Sequence, residues 1–384
     1  MVNLISGYGQ QMQELVPRIK KEGYQIATIN FFGLQGNSIE TKDLPGVKQY
    51  PVVNHTYGSD AMVLHGADFK ADAVFTLQDV WVLHPNDLQQ VKRWIPIVPI
   101  DHDPVQKPVL EALKYAYKII TYSKFGQEQL RKRGLYSTYI PHTVDTEVFK
   151  PMDKKERKAK AGLPPDSFLV GMVAANKDNP PRKSFQEVLD GFKMFLEKEP
   201  KALLYFHTNP QFPGGFPIDQ YAEFIGIRDK VLFPDNYTMN FNTGKKEMNL
   251  IYNTFDVLLN PSRHEGFGVA LIEAQASGVP VIGNRWTSMV ELVKEGETGY
   301  LTDLLYKPFS LMGSYMGQPD PKSIFDCLMK VRDADRVKMG ENAREFMLEE
   351  YDSNKVFKDK WIPFLSQLES EVYPTIAQEK EKNV

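Results

Sequence analysis

The sequence predicts an α/β protein made of two doubly wound, Rossmann-like halves. Short apolar runs rich in Val and Ile alternate with helix-periodic stretches along the chain, the pattern of parallel sheets covered by helices. At 384 residues the chain is longer than one hydrophobic core usually serves. The alternation breaks over residues 145–160, where Pro151 and a charged run precede Pro164 and Pro165, a composition typical of linkers. The expected division is therefore residues 1–147 and 148–351.

In the first half, strands are expected at residues 25–30, 73–77, 96–100, 118–122 and 138–140, with helices at 10–22 and 124–133. Ser123 stands where an N-cap of the second helix belongs. In the second half, strands are expected at 169–174, 202–207, 231–233, 255–260 and 279–283, with helices at 184–198 and 268–277. Right-handed crossovers would make each half a doubly wound sheet. Residues 304–321 show no clear period and read as an inserted loop, mobile or used in assembly. Beyond Glu350 the composition is helical, with Trp361 and Phe364 as anchors.

Composition narrows the function. The chain is 42% hydrophobic and 25% charged, with a net charge of −3 and no charge run of nucleic-acid-binding length. The densest basic stretch, residues 154–160, contains Glu156 and reads as a solvated helix or linker. The one cysteine, Cys327, cannot form an internal disulfide, so a secreted-type framework is excluded and a cytoplasmic address is expected. No apolar run is long enough to cross a bilayer, and MVNLISGYGQQ lacks the features of a signal peptide. Peripheral membrane contact stays compatible with this composition, and oligomeric state is left open.

The densest chemistry lies in PSRHEGFGVALIEAQASGVPVIG, residues 261–283. A strand leads into a turn holding Gly266, Phe267 and Gly268, and a helix opens at about Val269. Glycines there admit a ligand close to the backbone, and the N–H groups and dipole of a helix start suit a diphosphate. Glu265 lies in the turn and Glu273 two turns into the helix. Each carboxylate offers two oxygens to vicinal hydroxyls, so one can face a sugar and the other a ribose. Taken singly, either glutamate reads as a solvated charge; the strand–turn–helix setting favours function. Arg182 and Lys183 occupy a proline-stiffened turn between a strand and a helix. Cations there would stabilise the negative charge of a departing nucleoside diphosphate, Arg as a fork and Lys as a point charge.

His102 follows an apolar strand, and the carboxyl ends of parallel strands are where α/β domains place ligands. Its neighbours Asp101 and Asp103 raise two other readings. Metal binding is disfavoured, because adjacent residues in an extended run point to opposite sides; the three residues could also cap the next helix.

Residues 261–283 resemble the E-x7-E signature of family 4 retaining glycosyltransferases, which have the two-domain GT-B fold. VAANKDNPPRKSFQEVLDGF resembles that family's donor-phosphate loop, IPHTVDTEVFKP its interdomain segment, and ITYSKFGQEQL the last strand–helix unit of its N-terminal domain. SGYGQQMQEL resembles the glycine-rich turn that opens that domain, preceded here by a short strand, VNLIS. The resemblance covers most of the chain and implies two domains facing across a cleft, with residues 352–384 packing back on the first.

It further implies a retaining hexosyltransferase with no metal or other cofactor. Glu273 would hold the ribose and Glu265 the hexose; Arg182 and Lys183 would hold the leaving diphosphate with N–H groups of Gly266–Val269; His102 would position the sugar. Gly7 and Gly9 would admit the diphosphate from the N-terminal side. Lys177 would stand in for a family arginine, next to Asn176. His142 replaces the Asn of the interdomain motif and is read as structural. The donor stays open among UDP-, GDP- and ADP-sugars, and the acceptor among free sugars, lipid-linked sugars and small metabolites, with its pocket in loops such as 31–57 and 62–69. A sugar-nucleotide epimerase of the same fold and a non-catalytic nucleotide-sugar-binding protein are the alternatives.

Overall fold

A computed structural model of the protein describes residues 7–30, 36–42, 44–178, 181–235 and 243–374. The chain forms two compact units. Unit 1 comprises residues 1–100, 105–143 and 353–384, and unit 2 comprises residues 101–104 and 144–352. The division thus falls at Thr143, four residues before the expected boundary, and the short segment 101–104 groups with unit 2.

Unit 1 carries seven strands among the described residues: β1 Ala27–Ile29, β2 Ile39–Thr41, β3 Leu44–Tyr50, β4 Val74–Leu77, β5 Trp94–Val98, β6 Ile120–Thr121 and β7 Thr138–Tyr139. They form two sheets. β4-β5-β6-β7 is parallel throughout, and β5 is buried along its whole length. β1-β3-β2 pairs β1 parallel and β2 antiparallel to β3, a strand pair the Val/Ile runs did not reveal. A groove of about 610 Å³ lies beside the edge strands β1 and β4 and is lined mostly by apolar side chains such as Met12, Leu15, Met62 and Leu365. The opening strand expected at residues 2–6 lies outside the described residues. Gly7 and Gly9, expected in a turn, instead form the first turn of the helix Gly7–Lys21, where both have ordinary helical geometry. Of the loops expected to build an acceptor pocket, residues 59–68 are helical and 44–50 are strand.

The C-terminal segment completes unit 1. Trp361 and Phe364 both pack on Phe75 of β4 with ring centroids 6.4 Å away. Glu371 accepts a hydrogen bond from Tyr117 and pairs with Lys118, each at 2.8 Å. His142 is buried and stacked on Tyr122, and burial pushes its imidazole down to about 3, which fits a structural residue.

Unit 2 holds a six-stranded parallel sheet: β8 Leu169–Val173, β9 Leu203–His207, β10 Val231–Leu232, β11 Val257–Leu259, β12 Val281–Asn284 and β13 Gly299–Thr302. Their spatial order is β10-β9-β8-β11-β12-β13. This is a doubly wound sheet whose winding reverses between β8 and β11, and ligands of such sheets bind beyond the carboxyl ends of the strands at that reversal. β11 and β12 are buried throughout, as expected of strands covered on both faces. Strand residues Val170, Met172, Leu204, Phe206, Leu259 and Ile282 share one core with Val188 and Phe192 of the helix Phe185–Leu196 and with Ile324 and Leu328 of the helix Pro321–Asp333.

Two segments depart from expectation. Residues 154–160 do form a helix, but Lys158 is buried; its ammonium donates to Asp256 and to the Ser167 carbonyl, each at 2.6 Å. Residues 304–321 are not a plain loop. They contain the antiparallel pair β14 Leu304–Tyr306 and β15 Gln318–Pro319, and Gly317 N–H donates to Arg263 O at 2.8 Å.

Candidate active site

The site is built from the two segments that leave β8 and β11 at the reversal point of the unit 2 sheet. After β11 the chain turns through Asn260–Gly268 and enters the helix Val269–Ala276. The turn depends on Gly268, whose φ of 114° and ψ of 57° suit only glycine comfortably. A Cβ there would meet Leu271 at 3.2 Å and Leu292 at 3.3 Å. The turn is also fastened from behind. Ser288 Oγ donates to the carbonyls of Glu265 and Phe267, and Asn284 donates to the Ser262 carbonyl.

After β8 the chain passes Asn176 and reaches Arg182 and Lys183 just before the helix Phe185–Leu196. Arg263 N–H donates to Arg182 O at 2.8 Å, so the two turns are joined through their backbones. Lys183 pairs directly with Glu265. Arg182 Nη1 reaches Glu265 Oε2 and the His264 carbonyl, both at 3.3 Å, and Arg182 Nε reaches Asp178 at 3.3 Å. Beneath them Glu187 accepts from Arg263 at 2.7 Å and from Gln318 of β15 at 2.6 Å. Arg263, Glu187 and Gln318 are supports that sequence reasoning did not single out.

Electrostatics separates the two glutamates. Burial alone would raise Glu265, but Lys183 and Arg182 outweigh it and hold the carboxyl at about 2. Burial also pushes the Lys183 amine down, and Arg182 adds to that against the pull of Glu265. Glu273 is equally buried, and its hydrogen-bond donor is the neutral Tyr252. Burial pushes it up to about 7, opposed by the hydrogen bond from Tyr252 OH at 2.7 Å and by the more distant Lys245. Glu265 is thus a fixed anion, and Glu273 changes charge near neutrality.

The third element is Asp101-His102, which belongs to unit 2 although it follows β5 in sequence. Asp101 Oδ1 pairs with His102 Nδ1, and Asp101 Oδ2 lies 2.9 Å from His264 Nδ1. The two imidazoles lie 4.3 Å apart between centroids, at 44°. Burial would raise the Asp101 carboxyl, but His264 and His102 together hold it well below the usual range. Neighbours in a regular extended run diverge, yet Asp101 and His102 converge here, and their shared partner is His264 rather than Asp103. The three ligand atoms lie within 4.8 Å of one another, close enough to be tested as a metal set.

The remaining expected residues separate into two groups. Gly266, Phe267, Gly268 and Val269 line the turn and helix start beside Glu265. Lys177 is exposed, whereas Asn176 is buried and donates to Phe216 O at 2.8 Å while accepting from Phe216 N–H at 2.8 Å, which ties down the loop after β9. Gly7 and Gly9 lie in unit 1.

Comparison with solved structures identifies the architecture. A sucrose-phosphate synthase from Thermosynechococcus elongatus superposes with a TM-score of 0.73 at 17% identity, covering 96% of this chain and 94% of that one. The fold is GT-B. Anabaena HepE, solved in complex with UDP and glucose, superposes with a TM-score of 0.68 at 13% identity, covering 94% and 96%. Residues 153–304, which contain the turns after β8 and β11, match the family described as Glycosyl transferases group 1. N-acetyl-alpha-D-glucosaminyl L-malate synthase of Bacillus anthracis is 29% identical over 239 residues, which is 62% of this chain and 53% of that protein. The matched region thus spans about half of that relative. Among the described residues of this GT-B chain, no helix is long and apolar enough to cross a membrane.

Proposed function

We propose that this protein is a retaining glycosyltransferase that moves a hexosyl group from a UDP-, GDP- or ADP-sugar to an acceptor hydroxyl. The observation that carries the reading is the position of Glu265, Lys183 and Arg182. They stand at the carboxyl ends of β8 and β11, at the sheet's reversal point, beside the start of the helix Val269–Ala276. The match of residues 153–304 to group 1 glycosyl transferases supports it.

Each part has a chemical role in this reading. The diphosphate sits against the first turn of the helix, at the end where the dipole is positive and backbone N–H groups point outward. Arg182 and Lys183 meet the charge that builds on the leaving phosphate as the glycosidic bond breaks. Glu265, held ionised, accepts hexose hydroxyls. Glu273 accepts from the ribose. His102 positions the sugar. Retention follows front-side attack assisted by the leaving phosphate, with the acceptor proton passing to a phosphate oxygen. Fixed cations supply the charge stabilisation a metal would otherwise give, so the reaction needs none. The acceptor is a sugar, a lipid-linked sugar or a small metabolite.

The test is the anomeric configuration of the glycoside formed early in turnover, followed by ¹H NMR with and without EDTA. Retention at an undiminished rate is expected. An inverted product overturns the stereochemical reading, and loss of rate in EDTA overturns the metal-free one.

A further inference from the structure

Among the described residues, Asp101 is the carboxylate of the site that touches two imidazoles. Its two oxygens divide between them: Oδ1 to His102 Nδ1, Oδ2 to His264 Nδ1. Both rings are buried, at 8% exposure each, so neither can rotate freely to offer its other nitrogen. His264 is also fixed through its backbone, because its carbonyl accepts from Arg182 at 3.3 Å. The next residue is Glu265, whose N–H donates to Thr287 Oγ1 at 3.1 Å. His264 therefore links the basic turn after β8 to the Asp101-His102 segment.

We infer that Asp101 is a positioning residue that fixes both His102 and His264 with the proton on Nδ1 and presents their two Nε2 atoms as paired acceptors for hydroxyls of the bound sugar. An ionised carboxylate has only lone pairs to offer, so each nitrogen facing it must carry a hydrogen. In the neutral ring that leaves Nε2 as the acceptor. A carboxylate behind an imidazole is a recurrent way to set tautomer and orientation. One carboxylate here sets two rings at once, and ties their tautomers together. Sugar hydroxyls are donors, and with Glu265 beside His264 the site offers acceptors from three side chains. This role for the hexose rests on the transferase reading; the tautomer assignment does not.

The chain has seven histidines, few enough to assign ring signals by His102→Gln and His264→Gln variants. Long-range ¹H–¹⁵N NMR of the whole protein then reads each tautomer directly. Nδ1–H on both rings is expected, with one or both redistributed in Asp101→Asn. Nε2–H on either ring, or tautomers unchanged in Asp101→Asn, would overturn the assignment. Stoichiometric binding of Zn²⁺ that shifts both rings and is lost in Asp101→Asn would also overturn it, making the trio a metal site. A second arm uses UDP-glucose, GDP-mannose and ADP-glucose with the matching free nucleotides in titration calorimetry. Asp101→Asn should weaken the preferred nucleotide sugar about tenfold, the scale of one lost charge-assisted hydrogen bond, and the free nucleotide less than about twofold. Equal loss for both would remove the sugar role. If none of the three binds, the transferase reading fails while the NMR result still decides the tautomers.

Discussion

Glu265 and Glu273 share one turn–helix segment and are driven in opposite directions by their neighbours. Glu265 is lowered from 4.5 to about 2, so its contribution to stability is present above 4.5 and lost as pH falls toward 2. Glu273 is raised from 4.5 to about 7, so the folded state holds its proton more tightly than the unfolded state does. Its contribution is present below 4.5 and is lost as pH rises through about 7, a change of about 3 kcal/mol. Glu273→Gln keeps an acceptor for Tyr252 and removes the ionisation. Its melting temperature should exceed wild type at pH 8, with the gap narrowing toward pH 5, although nucleotide-sugar binding is lost. Thermal melts across pH check this; a variant less stable than wild type at pH 8 would contradict it.

At this scale the sequence was informative where the candidate site sits in a local motif. Glu265, Glu273 and the Gly266–Val269 turn were legible because strand, turn and helix succeed one another in order. Asp101 and His264 were not, because they meet across 163 residues and nothing in either segment signals the other. His264 did stand between Arg263 and Glu265 inside the motif, and a neighbour of a candidate site residue is a fair place to look. Lys158 was misread because a run of charges looks solvated, and only the fold shows that Asp256 waits for it.

At the scale of elements, the strand and helix alternation read from Val/Ile runs recovered five of the six unit 2 strands, since strands buried on both faces are apolar throughout; β13, GYLT, has no such run and was missed. The pair β2 and β3 was missed because β3, LPGVKQY, has Pro, Gly, Lys and Gln among its residues. The pair β14 and β15 was missed because its strands are three and two residues long. The helix Val269–Ala276 depends on the left-handed geometry of Gly268. Gly268→Ala should cost about 1–3 kcal/mol, from backbone strain and the close approach of Leu271 and Leu292. Chemical denaturation gives the value. A change below about 0.5 kcal/mol, the range of ordinary surface substitutions, would mean that the turn relaxes without loss.

On the scale of the whole molecule, the chain leaves unit 1 at Thr143 and returns to it at Ser353. Residues 353–372 are therefore part of unit 1, with contacts to Phe75, Tyr117 and Lys118. Truncation after Asp352 should strip protection from amides of β4–β7 and leave those of β8, β11 and β12 unchanged in hydrogen–deuterium exchange. Loss of protection across both units would show that they do not fold as separate cores.

In the proposed reading, unit 2 binds a nucleotide sugar through Lys183 and Glu273. A thermal-shift screen of UDP-, GDP- and ADP-sugars tests it most directly, since a ligand that binds only the folded state raises the melting temperature. Lys183→Ala and Glu273→Gln serve as controls. Stabilisation by one nucleotide class, abolished in both variants, is the predicted result. No stabilisation by any donor, or stabilisation that survives both substitutions, would contradict the claim.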